Sequence, residues 1–175
     1  RVHGVGLHGL KAPAGTLDMG NAGTAMRLSM GLLAGQAFDS TLVGDASLTR
    51  RPMERAAAPL RRMGAVITTT NGTPPVTVHG IGGQGGRLRG GVHDLQVASA
   101  QVKSALLLAG LYADGPTTVI EHAVTRDHTE RMLRAFGAEV TTTVEGSTRT
   151  AVLQPPTALQ ACRLEVPGDI SSAAF

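Results

Sequence analysis

Apolar residues return every third or fourth position in four stretches of this chain, the spacing that keeps them on one face of a helix. Met26, Met30 and Leu33 mark the first, over residues 23–33, and Gly35 stops it. Met53, Ala57, Leu60 and Met63 mark the second, which opens after Pro52 and ends at Gly64. Residues 100–110 are apolar almost all round, so this third helix must be buried on most sides, with Ser99 at its N-cap position. Met132, Leu133 and Phe136 form the expected buried face of the fourth, where Asp127 and Glu130 stand at capping-box spacing. Shorter runs predict strands at 40–43, 66–70, 76–79, 117–120, 140–144 and 150–153, and Val2, Val5 and Leu7 suggest a further short strand near the start. The pairs at 66–79 and 140–153 read as hairpins closing around 71–74 and 145–147.

These elements recur in a fixed order. Leu60-Arg61-Arg62-Met63-Gly64-Ala65 followed by Val66-Ile67-Thr68-Thr69-Thr70 returns 73 residues later as Leu133-Arg134-Ala135-Phe136-Gly137-Ala138 followed by Glu139-Val140-Thr141-Thr142-Thr143. An apolar helix, a short strand and a polar loop precede each copy, so the repeating unit is helix, strand, helix and hairpin. Leu164 to Phe175 carry the strand, glycine turn and small-residue helix start of a third unit. The glycine-rich stretch 80–91 contains Gly80-Ile81-Gly82-Gly83-Gln84-Gly85, a formal dinucleotide fingerprint. No helix pattern follows it to hold a pyrophosphate, so a flexible connection between layers is expected instead. The fold class is α/β.

Composition narrows the function. Hydrophobic residues make up 42% of the 175 positions and aromatics 2%, a core of Leu, Val, Ile, Ala and Met. The single cysteine, Cys162, excludes an internal disulfide and a cysteine-rich zinc site. No apolar run reaches the roughly 20 residues that span a bilayer, and no signal-peptide pattern opens the chain, so a soluble cytoplasmic protein is expected. The net charge of +3 is mild, and the bases are scattered with almost no aromatics between them. Nucleic acid is therefore a poor partner and small anions a good one. A chain that begins at Arg1 and stops inside an apparent helix start at Phe175 reads as a fragment.

The chemistry is expected at two helix starts. Asn21-Ala22-Gly23-Thr24 offers a side-chain cap at Asn21 and then residues too small to screen the first-turn N–H groups. Such a helix start is either a plain cap or an anion site. Ser99 and Gln101 repeat the arrangement. Units related by the repeat would bring these N-termini to one common end.

Residues 17–28, 44–53, 99–103 and 127–133 resemble the signature stretches of the 3-phosphoshikimate 1-carboxyvinyltransferase (EPSP synthase) family, and the resemblance covers nearly the whole chain. It implies a domain of repeated βαβαββ units, inverse α/β barrel-like and here an incomplete single globular domain. Residues 1–165 would form most of the N-terminal half, with the first unit largely missing, and 166–175 would begin the crossover to a second domain. The implied reaction transfers the enolpyruvyl group of phosphoenolpyruvate to the 5-hydroxyl of shikimate 3-phosphate and releases phosphate. Asn21, Gly23, Thr24, Arg51 and Gln101 match phosphoenolpyruvate positions, Arg51 as the bidentate grip on its phosphate. Ser99, Ala100, Gln101, Thr125, Arg126 and His128 match shikimate 3-phosphate positions.

Three of these depart from the commoner family pattern: Ala100 for a second serine, Thr125 for a serine and His128 for a tyrosine. Lys103 is open between a further ligand and a helix lysine facing solvent. The resemblance implies no metal and no cofactor, a monomer at full length, and catalytic residues outside this chain, which alone would be inactive. Gly23 implies sensitivity to glyphosate, which Leu28 would blunt. Two other readings remain: an enolpyruvyl transferase acting on UDP-N-acetylglucosamine, and a non-catalytic anion-binding module.

Overall fold

A computed structural model describes residues 2–165 and 168. Its elements alternate as the repeat predicts: β1 (Leu17–Asp18), α1 (Gly23–Ala34), β2 (Ser40–Val43), α2 (Glu54–Arg62), β3 (Val66–Thr70), β4 (Thr73–His79), then β5 (Gly91–Leu95), α3 (Ala100–Gly110), β6 (Thr117–Glu121), α4 (His128–Ala135), β7 (Val140–Glu145) and β8 (Thr148–Leu153). The described residues thus hold two βαβαββ units. Their sheets have the same order, β1-β2-β4-β3 and β5-β6-β8-β7. In each, the first two strands are parallel, which requires the crossover helix between them, and the last two form an antiparallel hairpin. The offset between units is 77 residues from Gly23 to Ala100 but 73 from Gly64 to Gly137. The first unit therefore carries four more residues between those points, where its loop holds Arg51.

The two kinds of helix have different places. α1 and α3 pack directly on each other, α1 also on β3 and β4 and α3 on β6. Met26, Met30, Leu33, Val102, Leu106 and Leu107 are buried there. α2 is amphipathic: Ala56, Ala57 and Leu60 face the core, while Arg61 and Arg62 sit in its last turn, favourably placed for the helix dipole. Gly64 ends that segment with φ +91°, a left-handed conformation that an L side chain resists.

Five expectations are corrected. No strand forms in residues 2–16: Val2 and Val5 are exposed, and only Leu7 reaches the core, its carbonyl accepting from the Tyr112 hydroxyl at 3.1 Å. β5 has no counterpart among the predicted strands, because the inward position beside Leu95 is taken by His93 while Val92 points to solvent, which inverts the usual pattern. The first hairpin is tighter than expected, turning on Asn71 and Gly72 alone, both at positive φ as a two-residue hairpin requires. The glycine-rich connection does cross between the sheets, but close packing explains its composition better than flexibility does. A Cβ on Gly80 would overlap the Gln36 carbonyl, and one on Gly82 would stand 2.5 Å from the Gly35 carbonyl oxygen. Of the three residues expected on the buried face of the fourth helix only Leu133 is buried; Met132 is exposed and Phe136 half-buried. The expected third unit, from Leu164, and the crossover at 166–175 lie almost entirely outside the described residues.

Candidate functional site

The N-termini of α1 and α3 lie side by side. Gln101, in the first turn of α3, donates from Nε2 to Thr24 Oγ1 at 2.9 Å and accepts from the Arg27 guanidinium at 2.7 Å. Arg27 also donates to the Pro52 carbonyl at 2.7 Å, which ties the start of α2 to the same point. One glutamine thus joins the two units where their inner helices begin.

Asn21 does not cap α1. Ala22 occupies the N-cap position and no side chain closes the helix end. The Asn21 amide instead donates to Asp45 at 2.8 Å, and its oxygen accepts from Arg51. Charged partners hold it more strongly than backbone N–H groups would. The α1 terminus is left bare, its dipole facing the cleft. Gly23 begins the helix there, and a Cβ on it would stand 3.3 Å from a guanidinium nitrogen of both Arg27 and Arg51.

Asp45 shapes the loop that delivers Arg51. Its carboxylate accepts from the backbone N–H groups of Leu48 at 2.7 Å and Ser47 at 2.9 Å. The Leu48 N–H foremost, then the Asn21 amide, hold the carboxyl below its ordinary range, with Ser47 and the Arg51 charge adding to them against a desolvation that raises it. A carboxyl depressed in the folded state contributes stability above its unfolded pKa of about 4 and loses it as pH falls below that. Asp45→Asn is therefore expected to flatten the acid limb of the stability profile, measured by urea unfolding from about pH 5 down to 2.

At α3 the cap forms as expected, Ser99 Oγ accepting from Val102 N at 3.4 Å. Two adjoining clefts open beside it. One, of about 320 Å³, is lined by Arg27, Arg55, Ser99, Gln101 and Arg126; the other, of about 150 Å³, by Thr24, Leu28, Gln101, Arg126 and His128. Ala100 borders both and offers no polar side chain.

Thr125 lines neither cleft. Its hydroxyl is held inside, donating to Glu121 and accepting from Lys103 Nζ at 2.9 Å. Lys103 is correspondingly neither a ligand nor a surface lysine: it is 1% exposed and paired with Glu121 at 2.7 Å and Glu130 at 2.9 Å. The capping box at the start of α4 does not form. Asp127 turns to Arg131 and Arg149 instead, and Glu130 is drawn inward to Lys103.

Arg27 and Arg55 went unrecognised in the sequence as cleft residues. Arg27 follows Gly23 by four positions, so helical spacing puts it on the same face one turn in, a signal the residues themselves carry. Nothing local marks Arg55. Among the described residues Arg27, Arg51, Arg55 and Arg126 make no direct ion pair, as is also true of several surface arginines, and Asp45 is the carboxylate that feels the Arg51 charge. Burial foremost, and then the charges of Arg51 and Arg55, push the Arg27 pKa down. Arginine nevertheless keeps its charge in proteins. Four guanidinium groups without a direct ion pair thus gather around two helix N-termini, an arrangement whose electrostatics favour anions.

The Arg27–Gln101 junction, Gly23 and the arginine-lined cleft all lie within the part of the chain that known proteins share. The family model described as EPSP synthase (3-phosphoshikimate 1-carboxyvinyltransferase) matches residues 1–175. The 3-phosphoshikimate 1-carboxyvinyltransferase of Methylococcus capsulatus is 60% identical over 100% of this chain and 38% of its own length. The protein of that name from Alkalilimnicola ehrlichii is 59% identical over 99% of this chain and 37% of its own. A solved structure of EPSP synthase from Acinetobacter baumannii superposes with a TM-score of 0.86 at 57% identity, covering 98% of this chain and 37% of that one. The chain thus spans little more than a third of the length of these relatives, and over all of its own length it belongs to the EPSP synthase family.

Proposed function

We propose that this chain supplies the phosphate-gripping half of an enzyme that moves the enolpyruvyl group of phosphoenolpyruvate onto the 5-hydroxyl of shikimate 3-phosphate. The observation that carries the reading is the gathering of four arginines, none in a direct ion pair, where α1 and α3 begin. Both substrates are phosphorylated, and two adjoining anion subsites meet that need. The bare end of α1, with Gly23, Arg27 and Arg51, suits the small phosphoenolpyruvate. Ser99, Gln101, Arg126 and His128 suit the larger phosphorylated ring.

In such a transfer a proton adds to the methylene carbon of the enol, leaving a cationic centre at the carbon that bears the phosphate. The ring hydroxyl attacks that carbon and loses its proton. Phosphate then leaves as the newly formed methyl group gives up a proton, restoring the double bond in the product. This chain's part is to hold both anions in register while charge develops, through fixed N–H groups and guanidinium forks that need no reorganisation. The family resemblance puts the groups that move the protons outside this chain, so we propose that the isolated chain binds without turning over. We propose further that the full-length enzyme is a monomer working in the cytoplasm; no helix among the described residues is long and apolar enough to cross a membrane.

The test is phosphate release by the protein at its full natural length, given phosphoenolpyruvate with shikimate 3-phosphate or with UDP-N-acetylglucosamine. Turnover is expected with the first acceptor alone, and a response confined to the UDP-sugar overturns the reading. Arg51→Ala should raise the KM for phosphoenolpyruvate about 10- to 100-fold, as loss of a charge-assisted hydrogen-bond donor does.

A further inference from the structure

Beneath the second subsite lies a charged cluster that touches neither cleft. Lys103, Glu121 and Glu130 are each no more than 1% exposed and come from three elements, α3, β6 and α4. Lys103 Nζ stands 2.7 Å from Glu121 Oε2 and 2.9 Å from Glu130 Oε1, and it donates to Thr125 Oγ1 at 2.9 Å. Both carboxylate contacts are ion pairs without hydrogen-bond alignment. Glu121 does more than neutralise the lysine. It accepts from the backbone N–H of Ser99 at 3.2 Å and from the Thr125 hydroxyl at 2.8 Å and 3.0 Å.

We propose that the buried Lys103–Glu121 pair is a positioning device that sets the distance between Ser99 and the Thr125-Arg126 loop, and so sets the enzyme's affinity for its phosphorylated ring substrate. Ser99 and Arg126 border the same cleft from two different elements, and the pair is the polar connection between them. Lys103 holds Thr125, next to Arg126, while Glu121 holds both Thr125 and the N-cap residue of α3. The phosphoenolpyruvate side is built on the other unit, from Gly23, Arg27 and Arg51, and none of these touches the cluster. The Gln101 hydrogen bonds to Thr24 and Arg27 are the link from α3 to that side, so the device acts foremost on the ring substrate. A buried charge cluster is a costly way to fill a core, and an apolar trio of similar volume would pack at least as well. Its retention beside the cleft is explained by the geometry it imposes.

This inference rests on the function proposed above, and one set of kinetic measurements separates the two. The triple variant Lys103→Met/Glu121→Gln/Glu130→Gln removes all three charges, so nothing charged is left unpaired in the core. In the protein at its full natural length it should fold, raise the KM for shikimate 3-phosphate about tenfold or more, and leave the KM for phosphoenolpyruvate within about twofold. A folded triple variant with unchanged KM values, or with both raised alike, overturns the positioning role. Lys103→Arg keeps the charge but moves its donors, and it decides the matter if the triple variant does not fold. A rise confined to shikimate 3-phosphate supports the proposal, and equal or absent changes overturn it. Wild-type protein that does not use shikimate 3-phosphate at all would instead remove the functional reading, and this inference with it.

Discussion

Lys103→Met alone is expected to cost about 3–5 kcal/mol of folding stability, the range seen when one partner of a buried ion pair is removed. Glu121 and Glu130 are both fully buried, and Lys103 is the cation within ion-pair distance of both. Methionine matches the lysine stem in length and packs well, so the loss comes from two carboxylates left facing each other without compensation. Against a typical domain stability of about 5–15 kcal/mol this is a large fraction. Urea unfolding should show a lower midpoint at an unchanged slope. Adding Glu121→Gln and Glu130→Gln should recover most of the loss, because the defect is charge and not volume. A loss below about 1 kcal/mol in the single variant would show that the carboxylates are solvated in the folded state.

Gly31→Ala should also destabilise the protein, against what helix propensity alone predicts. In an isolated helix this change stabilises by about 1 kcal/mol. Here Gly31 lies where α1 crosses α3, and a Cβ on it would overlap the Ala105 carbonyl oxygen and stand 2.9 Å from the carbonyl carbon. The obstacle is backbone, so no rotamer change relieves it and the two helices must part. Overpacking of this kind costs about 1–3 kcal/mol and occasionally more, and a backbone obstacle places this site at the upper end. The net expectation is a loss of about 2 kcal/mol or more after the propensity gain. Because Gln101 and Thr24 join the same helices at their N-termini, the variant should also weaken phosphoenolpyruvate binding in equilibrium titration. Unchanged stability and binding would show that α1 and α3 slide apart freely.

Much of the architecture was legible in the residues. The return of Leu60 to Thr70 at Leu133 to Thr143 announced two units of one design, and the sheets β1-β2-β4-β3 and β5-β6-β8-β7 have that identity. The contrast between the apolar residues 100–110 and the one-sided 53–63 foretold which helices go inside. Local physics suffices for such features, because periodicity and turn chemistry act over a few neighbouring residues. Signals that depend on a distant partner were lost or misread. β5 carries His93 on its inner face, and Asp127 and Glu130 have capping-box spacing while their side chains serve Arg131, Arg149 and Lys103.

The site divides along the same line. Gly23, Ser99 and Gln101 sit at helix starts that the sequence alone marks, since small residues and a hydroxyl before an apolar run have few other uses. That these starts are neighbours, joined through Gln101 to Thr24 and Arg27, is a fact of tertiary structure. So is the gathering of Arg27, Arg51, Arg55 and Arg126 from four separate segments. Lys103 makes the point most sharply: its sequence neighbours allow a ligand or a solvated lysine, and the fold makes it neither. The sequence by itself determined the repeated unit and where its helices begin, because those are set by local chemistry. Only the packing of α1 on α3 decided which charges meet and which are buried, because electrostatic environment depends on residues dozens of positions away.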